Sequence, residues 1–265
     1  MPSLINTLQN ILVPDRQAEL AIERLSVRRG DVNELEALYR IFAFSDLPER
    51  PERAEDLFNL FGTTIGEGLY ICGHLNRCLH LPGDICEFGI AQGATSRLLA
   101  NEIAATDKSL WLFDSFEGLP EPGDKDEMID DIFNLGSMKA YTGTMQCSPD
   151  EVKANLAAIN FDESRVRIKP GWIDETFADG DLPDQVCFAY VDFDFYDPIK
   201  ITLDYLNKAV PHGGAVIVDD YGFFSSGAAT AVDEFLDRTG SRWRKLMPIE
   251  PAGKFCILLR NHTDI

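Results

Sequence analysis

The stretch Ala189-Tyr190-Val191-Asp192-Phe193-Asp194-Phe195-Tyr196-Asp197 decides how the rest of the chain is read. Its first half is apolar enough for a buried strand, and that strand runs straight into carboxylates. A second run of the same kind, Ala215-Val216-Ile217-Val218, ends in Asp219-Asp220-Tyr221. In an open parallel sheet the carboxyl ends of neighbouring strands line one crevice, and ligands bind there. Two such strands bring Asp192, Asp219 and Asp220 together. Crowded carboxylates repel one another unless they are protonated or bridged by a cation. A hard divalent ion such as Mg²⁺ prefers oxygen ligands and is the natural bridge. The plainer alternative is that these aspartates only cap the ends of strands and helices.

Strands and helices alternate on both sides of this stretch. Upstream, residues 84–89, 110–114 and 166–169 have strand character, with a helix over 94–104 after the first. Ser148-Pro149-Asp150-Glu151 is a helix start: a Ser cap, Pro at the first position, then acids. Downstream, helices are predicted over 198–208 and 226–238, and a hairpin over 243–249 and 254–259 around Pro251-Ala252-Gly253. Such alternation means right-handed crossovers and a parallel sheet covered on both faces, closed here by an antiparallel strand. Before residue 81 the texture is helical instead, with apolar residues at helical spacing over 18–27, 32–44, 54–61 and 66–79. The expected division is a helical extension or lid over 1–80 and a ligand-binding α/β domain over 81–265.

A net charge of −20 gives a surface that repels nucleic acid and anionic membranes, so neither is expected as a partner. The six cysteines are scattered, and Cys86 and Cys187 fall inside predicted strands. That suits reduced core thiols in a cytoplasmic protein rather than a disulfide scaffold. Cys72, His74, Cys78 and His80 lack the paired spacing of a zinc site and fall on one predicted helix. No basic leader precedes an apolar run in residues 1–13, and no run approaches the length needed to span a bilayer.

The first strand-to-helix turn, Glu87-Phe88-Gly89-Ile90-Ala91-Gln92-Gly93, is a cofactor candidate. Gly89 and Gly93 permit a tight turn and a close backbone approach. A strict G-x-G-x-x-G is absent, which weakens a pyrophosphate cradle and a nicotinamide-dependent dehydrogenase with it. Glu87 suits an ammonium group better than a pyrophosphate. Asp114 ends the second strand, where an acid can accept hydrogen bonds from two ribose hydroxyls; capping a turn with Ser115 is the alternative. Trp172, after Pro170-Gly171, could stack on an adenine or simply pack.

With these residues in place the chain resembles the magnesium-dependent O-methyltransferases typified by macrocin O-methyltransferase. The motifs that carry the resemblance are Pro82-Gly83-Asp84-Ile85-Cys86-Glu87-Phe88-Gly89, Phe113-Asp114-Ser115-Phe116-Glu117-Gly118, Pro170-Gly171-Trp172, Val191-Asp192-Phe193-Asp194-Phe195-Tyr196 and Val218-Asp219-Asp220-Tyr221. The resemblance spans roughly residues 60–260. It implies an α/β, Rossmann-like class I methyltransferase sheet with a terminal antiparallel hairpin, preceded by the helical extension. It also implies S-adenosyl-L-methionine as cofactor, with Glu87, Gly89, Ile90 and Gly93 at its methionine end, Asp114 and Ser115 at the ribose, and Gly171 and Trp172 near the adenine. Thr64 falls in a further cofactor-contacting segment. Asp192, Asp219 and Asp220 take the places of the metal ligands.

The implied reaction is methyl transfer to a hydroxyl of a sugar or other secondary-metabolite acceptor. A bound Mg²⁺ would lower the hydroxyl pKa, and two adjacent oxygens could chelate it, so a vicinal diol is the natural acceptor. None of the four histidines lies at the crevice by this reading, so Asp192 is the expected base as well as a ligand, with Asp194 as the alternative. A phenolic acceptor, a dehydrogenase and a non-catalytic cofactor-binding protein are the competing readings. Residues 117–148 are too long for a simple connection and hold seven acids in the first fifteen positions, so they are read as a lid or else as a solvated loop. The N-terminal helices are read as a second wall of the acceptor pocket or a homodimer contact.

Overall fold

The computed structural model describes residues 29–50, 52–249 and 252–261. Three helices come first: α1 (Arg29–Phe42), α2 (Arg53–Phe58) and α3 (Ile65–Cys78). Then follow β1 (Asp84–Phe88), α4 (Ala94–Ile103), β2 (Leu110–Asp114), α5 (Pro149–Ala158), β3 (Val166–Pro170), α6 (Ile173–Ala178), β4 (Val186–Val191), α7 (Tyr196–Ala209), β5 (Ala215–Val218), α8 (Ser226–Thr239), β6 (Trp243–Leu246) and β7 (Cys256–Arg260). The predicted segment 18–27 and His262 lie outside the described residues.

The seven strands form one sheet in the order β3-β2-β1-β4-β5-β7-β6. Strands β1 to β5 pair in parallel, while β7 pairs antiparallel with both β5 and β6. Strand order reverses between β1 and β4, so the ligand crevice of such a sheet opens above their carboxyl ends. Period-2 alternation sorts the side chains onto two faces. Ile85, Leu112, Phe188, Tyr190 and Ile217 pack under α3 and α4. Phe88, Phe113, Ala189, Val191 and Val218 pack under α7 and α8. Both faces are covered, as the near-continuous apolar strands require.

Local chemistry explains the helix starts. Ser148 accepts from the Glu151 amide and Glu151 reaches back to the Ser148 amide, a complete capping box. Helix α4 starts instead from Gly93 in the left-handed region, φ +79°. Helix α6 was not expected from the sequence: six residues are too few to show a helical period. The closing hairpin is shorter than predicted, and Ala252 is buried against α3, where a Cβ on Gly66 would lie 2.7 Å from its carbonyl oxygen.

Residue 80 marks a change of sequence texture, but the core runs across it, because α1, α2 and α3 share one apolar cluster with β1, β2 and β4. A buried ionic cluster reinforces the join. Arg53 donates to Glu102 of α4 at 2.6 and 2.9 Å and to Glu36 of α1 at 2.6 Å. All six cysteines are free thiols. Among the described residues no helix is long and apolar enough to cross a membrane.

Candidate active site

Glu87 is the last polar residue of β1 and only 1% exposed. Its Oε2 accepts from the Ser96 hydroxyl at 2.5 Å, while its Oε1 has no hydrogen-bond partner among the described residues. Burial pushes the Glu87 carboxyl up to about 8; the Ser96 bond opposes the shift and Asp114 adds to it. A buried acceptor without a donor is costly, so such a group points to a ligand that supplies one.

The turn after Glu87 is shaped by its glycines. Gly89 sits at φ +81°, and a Cβ there would lie 1.9 Å from the Asp192 carbonyl oxygen. Glycine therefore lets the ends of β1 and β4 close on each other, and the Asp192 amide donates to Phe88 O at 2.7 Å. Asp114 is the hub on the β2 side. Its Oδ2 accepts from the Ile90 amide at 2.7 Å and its Oδ1 from the Phe116 amide at 2.7 Å. The Ala91 amide also donates to Oδ2, at 3.4 Å, so the further acceptor capacity lies on Oδ1. The Gly171 amide donates to Asp114 O at 3.0 Å, bringing Gly171 and the half-buried Trp172, the residue before α6, to the same edge. The hydroxyls of Thr64 and Ser115 are engaged within the protein. Thr64 caps α3 and donates to Ala252 O at 2.5 Å; Ser115 accepts from Glu117 and donates to Gly118 O at 3.2 Å.

Beyond β4 and β5 the acids converge. One oxygen each from Asp192, Asp194 and Asp220 lies within 4.8 Å of the others. Asp194 and Asp220 occupy the left-handed region, φ +60° and +55°, which aspartate tolerates better than most residues. Those two turns aim Asp194 at Asp192 and Asp220, so the converging set differs from the sequence-read trio by one member. Asp219 adjoins Asp220 in sequence and exerts the largest charge effect on both Asp192 and Asp220. Its Oδ2 also accepts from the Tyr190 hydroxyl at 3.1 Å. Burial first, then the charge of neighbouring acids (Asp219 for Asp192 and Asp220, Asp192 for Asp194), holds all three well above the usual carboxylate range; a hydrogen bond between Asp194 and Asp220 opposes the shift of Asp194 and adds to that of Asp220. Asp192 feels both halves of the crevice, since Glu87 and Asp114 act on it as well as Asp219 and Asp220.

Glu67 and Tyr190 are two site neighbours that the sequence reading did not assign. Glu67 of α3 is 2% exposed, and the Tyr190 hydroxyl lies 3.3 Å from its Oε1. Burial and then Asp219 push Glu67 well above the ordinary range. A signal was available: Glu67 stands between Gly66 and Gly68, alone among the apolar and glycine residues of the helix's first half. The segment 117–148 packs around a small core of its own. Leu119, Ile132, Met138 and Tyr141 bury against Phe195 and Phe224, each of which closely follows an acidic motif.

The fold is that of the class I O-methyltransferases. The solved O-methyltransferase NovP superposes with a TM-score of 0.64 at 24% identity, covering 75% of this chain and 81% of that one. CalS11, a calicheamicin methyltransferase, superposes with a TM-score of 0.60 at 21% identity, covering 96% of each chain. The macrocin O-methyltransferase family model matches residues 72–252, and the chain belongs to that family. One relative is the 8-demethyl-8-(2,3-dimethoxy-alpha-L-rhamnosyl)-tetracenomycin-C 4'-O-methyltransferase of Streptomyces olivaceus, 29% identical over 163 residues, 60% of this chain and 60% of that protein. Another is the mycinamicin III 3''-O-methyltransferase of Micromonospora griseorubida, 28% identical over 204 residues, 72% of this chain and 77% of that protein. The first of these alignments spans less than two thirds of the relative's own length.

Proposed function

We propose that this chain transfers a methyl group from S-adenosylmethionine to a hydroxyl, in a vicinal diol, of a sugar carried by a natural-product scaffold, with Mg²⁺ held at the aspartate cluster. One observation carries the reading: a single sheet edge holds both the unpartnered Glu87 Oε1 and the converging oxygens of Asp192, Asp194 and Asp220. The named activities of the relatives, a rhamnosyl-bearing tetracenomycin and a mycinamicin, support a glycosylated acceptor.

The residues present fit both groups. Glu87 Oε1 lacks the donor that an ammonium group supplies. Among the described residues no ion pair joins a lysine or arginine to Asp192, Asp194 or Asp220; Asp194 and Asp220 share a hydrogen bond, and a bound cation would relieve the repulsion that remains. A hard cation suits an all-oxygen set. When bound, the cofactor supplies an electrophilic methyl on sulfur and the cation acidifies a neighbouring hydroxyl.

The chain's own groups do the rest. Glu87 fixes the amino-acid end of the cofactor, and Gly89 and Gly93 keep the turn free of side chains. Asp114 retains acceptor capacity for the ribose hydroxyls, and Trp172 offers a ring face at the next strand end. Asp192, Asp194 and Asp220, with Asp219 alongside, hold the cation. Asp192 accepts the hydroxyl proton, because it lies between the cofactor side and the acid cluster. The test is incubation with methyl-labelled S-adenosylmethionine, Mg²⁺ and a panel of rhamnosylated polyketides. Label should enter the sugar and be lost in excess chelator. Undiminished transfer in chelator would remove the cation, and labelling of phenols alone would move the acceptor to that class.

A further inference from the structure

One buried carboxylate outside the crevice ties the long acidic segment to both acid-bearing turns. Asp126, 7% exposed, lies within residues 117–148. Its Oδ1 accepts from the Tyr196 amide at 2.8 Å, the first residue of α7, directly after Asp192-Phe193-Asp194-Phe195. The same oxygen accepts from the Ser225 hydroxyl at 3.2 Å, and Ser225 caps α8, the helix that follows Asp219-Asp220. Its Oδ2 accepts from the Gly123 amide at 2.8 Å, which folds the segment back on itself. The fit is close: a Cβ on Gly227 would lie 1.9 Å from Oδ1, so only glycine leaves room there.

The neighbouring backbone extends the join. Ser226 N donates to Glu127 O at 2.9 Å, the Ser226 hydroxyl accepts from the Glu127 amide at 2.9 Å, and Ile129 N donates to Phe224 O at 2.9 Å. Phe195 and Phe224 pack into the segment's own cluster. The helix starts after both acidic motifs therefore share one anchor, and that anchor belongs to the segment above them.

We propose that Asp126 is a positioning residue: it fixes the starts of α7 and α8 together, and so couples the ordering of residues 117–148 to the assembly of the aspartate cluster. The inference rests on the cation reading above. The two oxygens have separable duties. Oδ1 serves the two helix starts, and Oδ2 serves the segment. Asp126→Asn keeps an acceptor oxygen for Tyr196 and Ser225 but turns an amide N–H₂ towards the Gly123 N–H, a donor facing a donor. Asp126→Ala removes both duties.

The experiment uses the full chain with three readouts: Mn²⁺ binding by electron paramagnetic resonance, S-adenosylhomocysteine binding by calorimetry, and the rate of proteolytic cleavage within 117–148. Asp126→Ala should cleave at least tenfold faster and bind Mn²⁺ about tenfold more weakly, with S-adenosylhomocysteine affinity unchanged, since Glu87 and Asp114 lie on β1 and β2. Asp126→Asn should also cleave faster and bind Mn²⁺ about threefold more weakly, less than the Ala variant, since it keeps the Oδ1 contacts while loosening the segment. If Asp126→Ala fails to fold, the Asn variant still carries the test, because an equal cleavage rate to the parent, or faster cleavage with Mn²⁺ affinity unchanged, overturns the coupling. Faster cleavage of Asp126→Ala with unchanged Mn²⁺ affinity overturns the positioning role. A parent protein that binds no Mn²⁺ refutes the cation reading itself, and the proteolysis result then stands on its own.

Discussion

The two halves of the crevice are built on opposite electrostatic terms. On the β1–β2 side the carboxylates are few and mostly satisfied: Asp114 accepts backbone amides through both oxygens, and Glu87 has one partner and one open oxygen. On the β4–β5 side Asp192, Asp194 and Asp220 face one another, and burial together with neighbouring acids, Asp219 among them, raises their proton affinity. The first half is a preformed socket that lacks one donor. The second is a buried cluster of acids, the place proposed above for a cation. The same sheet edge thus carries a hydrogen-bonding turn and an acid cluster side by side, with Asp192 acted on by acids of both.

Substitutions can pull the halves apart. The largest effect is expected for Asp192→Asn, which would remove the proposed base and the proposed ligand together: turnover should fall about a thousandfold, while S-adenosylhomocysteine affinity stays near that of the parent. Steady-state kinetics beside calorimetry would show the split, and loss of both together would join the halves into one site. Gly89→Ala should come next. It puts a side chain at φ +81° against the Asp192 carbonyl, so unfolding in denaturant should show a loss of about 2 kcal/mol or more, damaging both halves at once. Glu87→Ala should weaken cofactor binding by about 2 kcal/mol, some thirtyfold, and leave Mn²⁺ affinity unaltered.

Protonation sharpens the contrast further. Glu87 titrates near 8 in the folded protein, above its ordinary 4.5, so its contribution to stability is full below about 4.5 and is lost as pH rises towards 8. An ammonium partner favours the ionised carboxylate. Cofactor binding at pH 7 should therefore release a proton, measured by calorimetry in buffers of different ionisation enthalpy; a release identical in Glu87→Ala would assign the proton elsewhere. The smallest effect lies further along α3 from Glu67. His74 packs against Phe44 and Tyr70, and burial pushes it down to about 4. Its contribution to stability should fade as pH drops from about 6.5 towards 4, and His74→Phe should flatten that part of the pH–stability curve.

Much of this was legible in the sequence, for physical reasons that differ from place to place. The strand β4 was readable to the residue because a fully buried parallel strand leaves an unbroken apolar run. Ser148 announced α5 because capping is a local interaction. The membership of the acid cluster was less legible. Alternation along a strand predicts which side chains share a face, but Asp194 and Asp220 sit just past their strands in left-handed turns that re-aim them. Glu67 and Asp126 were hidden for another reason. Each meets its partners across long sequence separations, Tyr190 for the one and Tyr196 and Ser225 for the other, and no spacing rule reaches that far.

The measurement that bears most directly on the account is calorimetric titration of S-adenosylhomocysteine into the parent chain and into Glu87→Ala, both with Mg²⁺ present. The account predicts micromolar or tighter binding to the parent and binding at least tenfold weaker to the variant. No heat with the folded parent at two temperatures, or equal affinity in the two proteins, would contradict it.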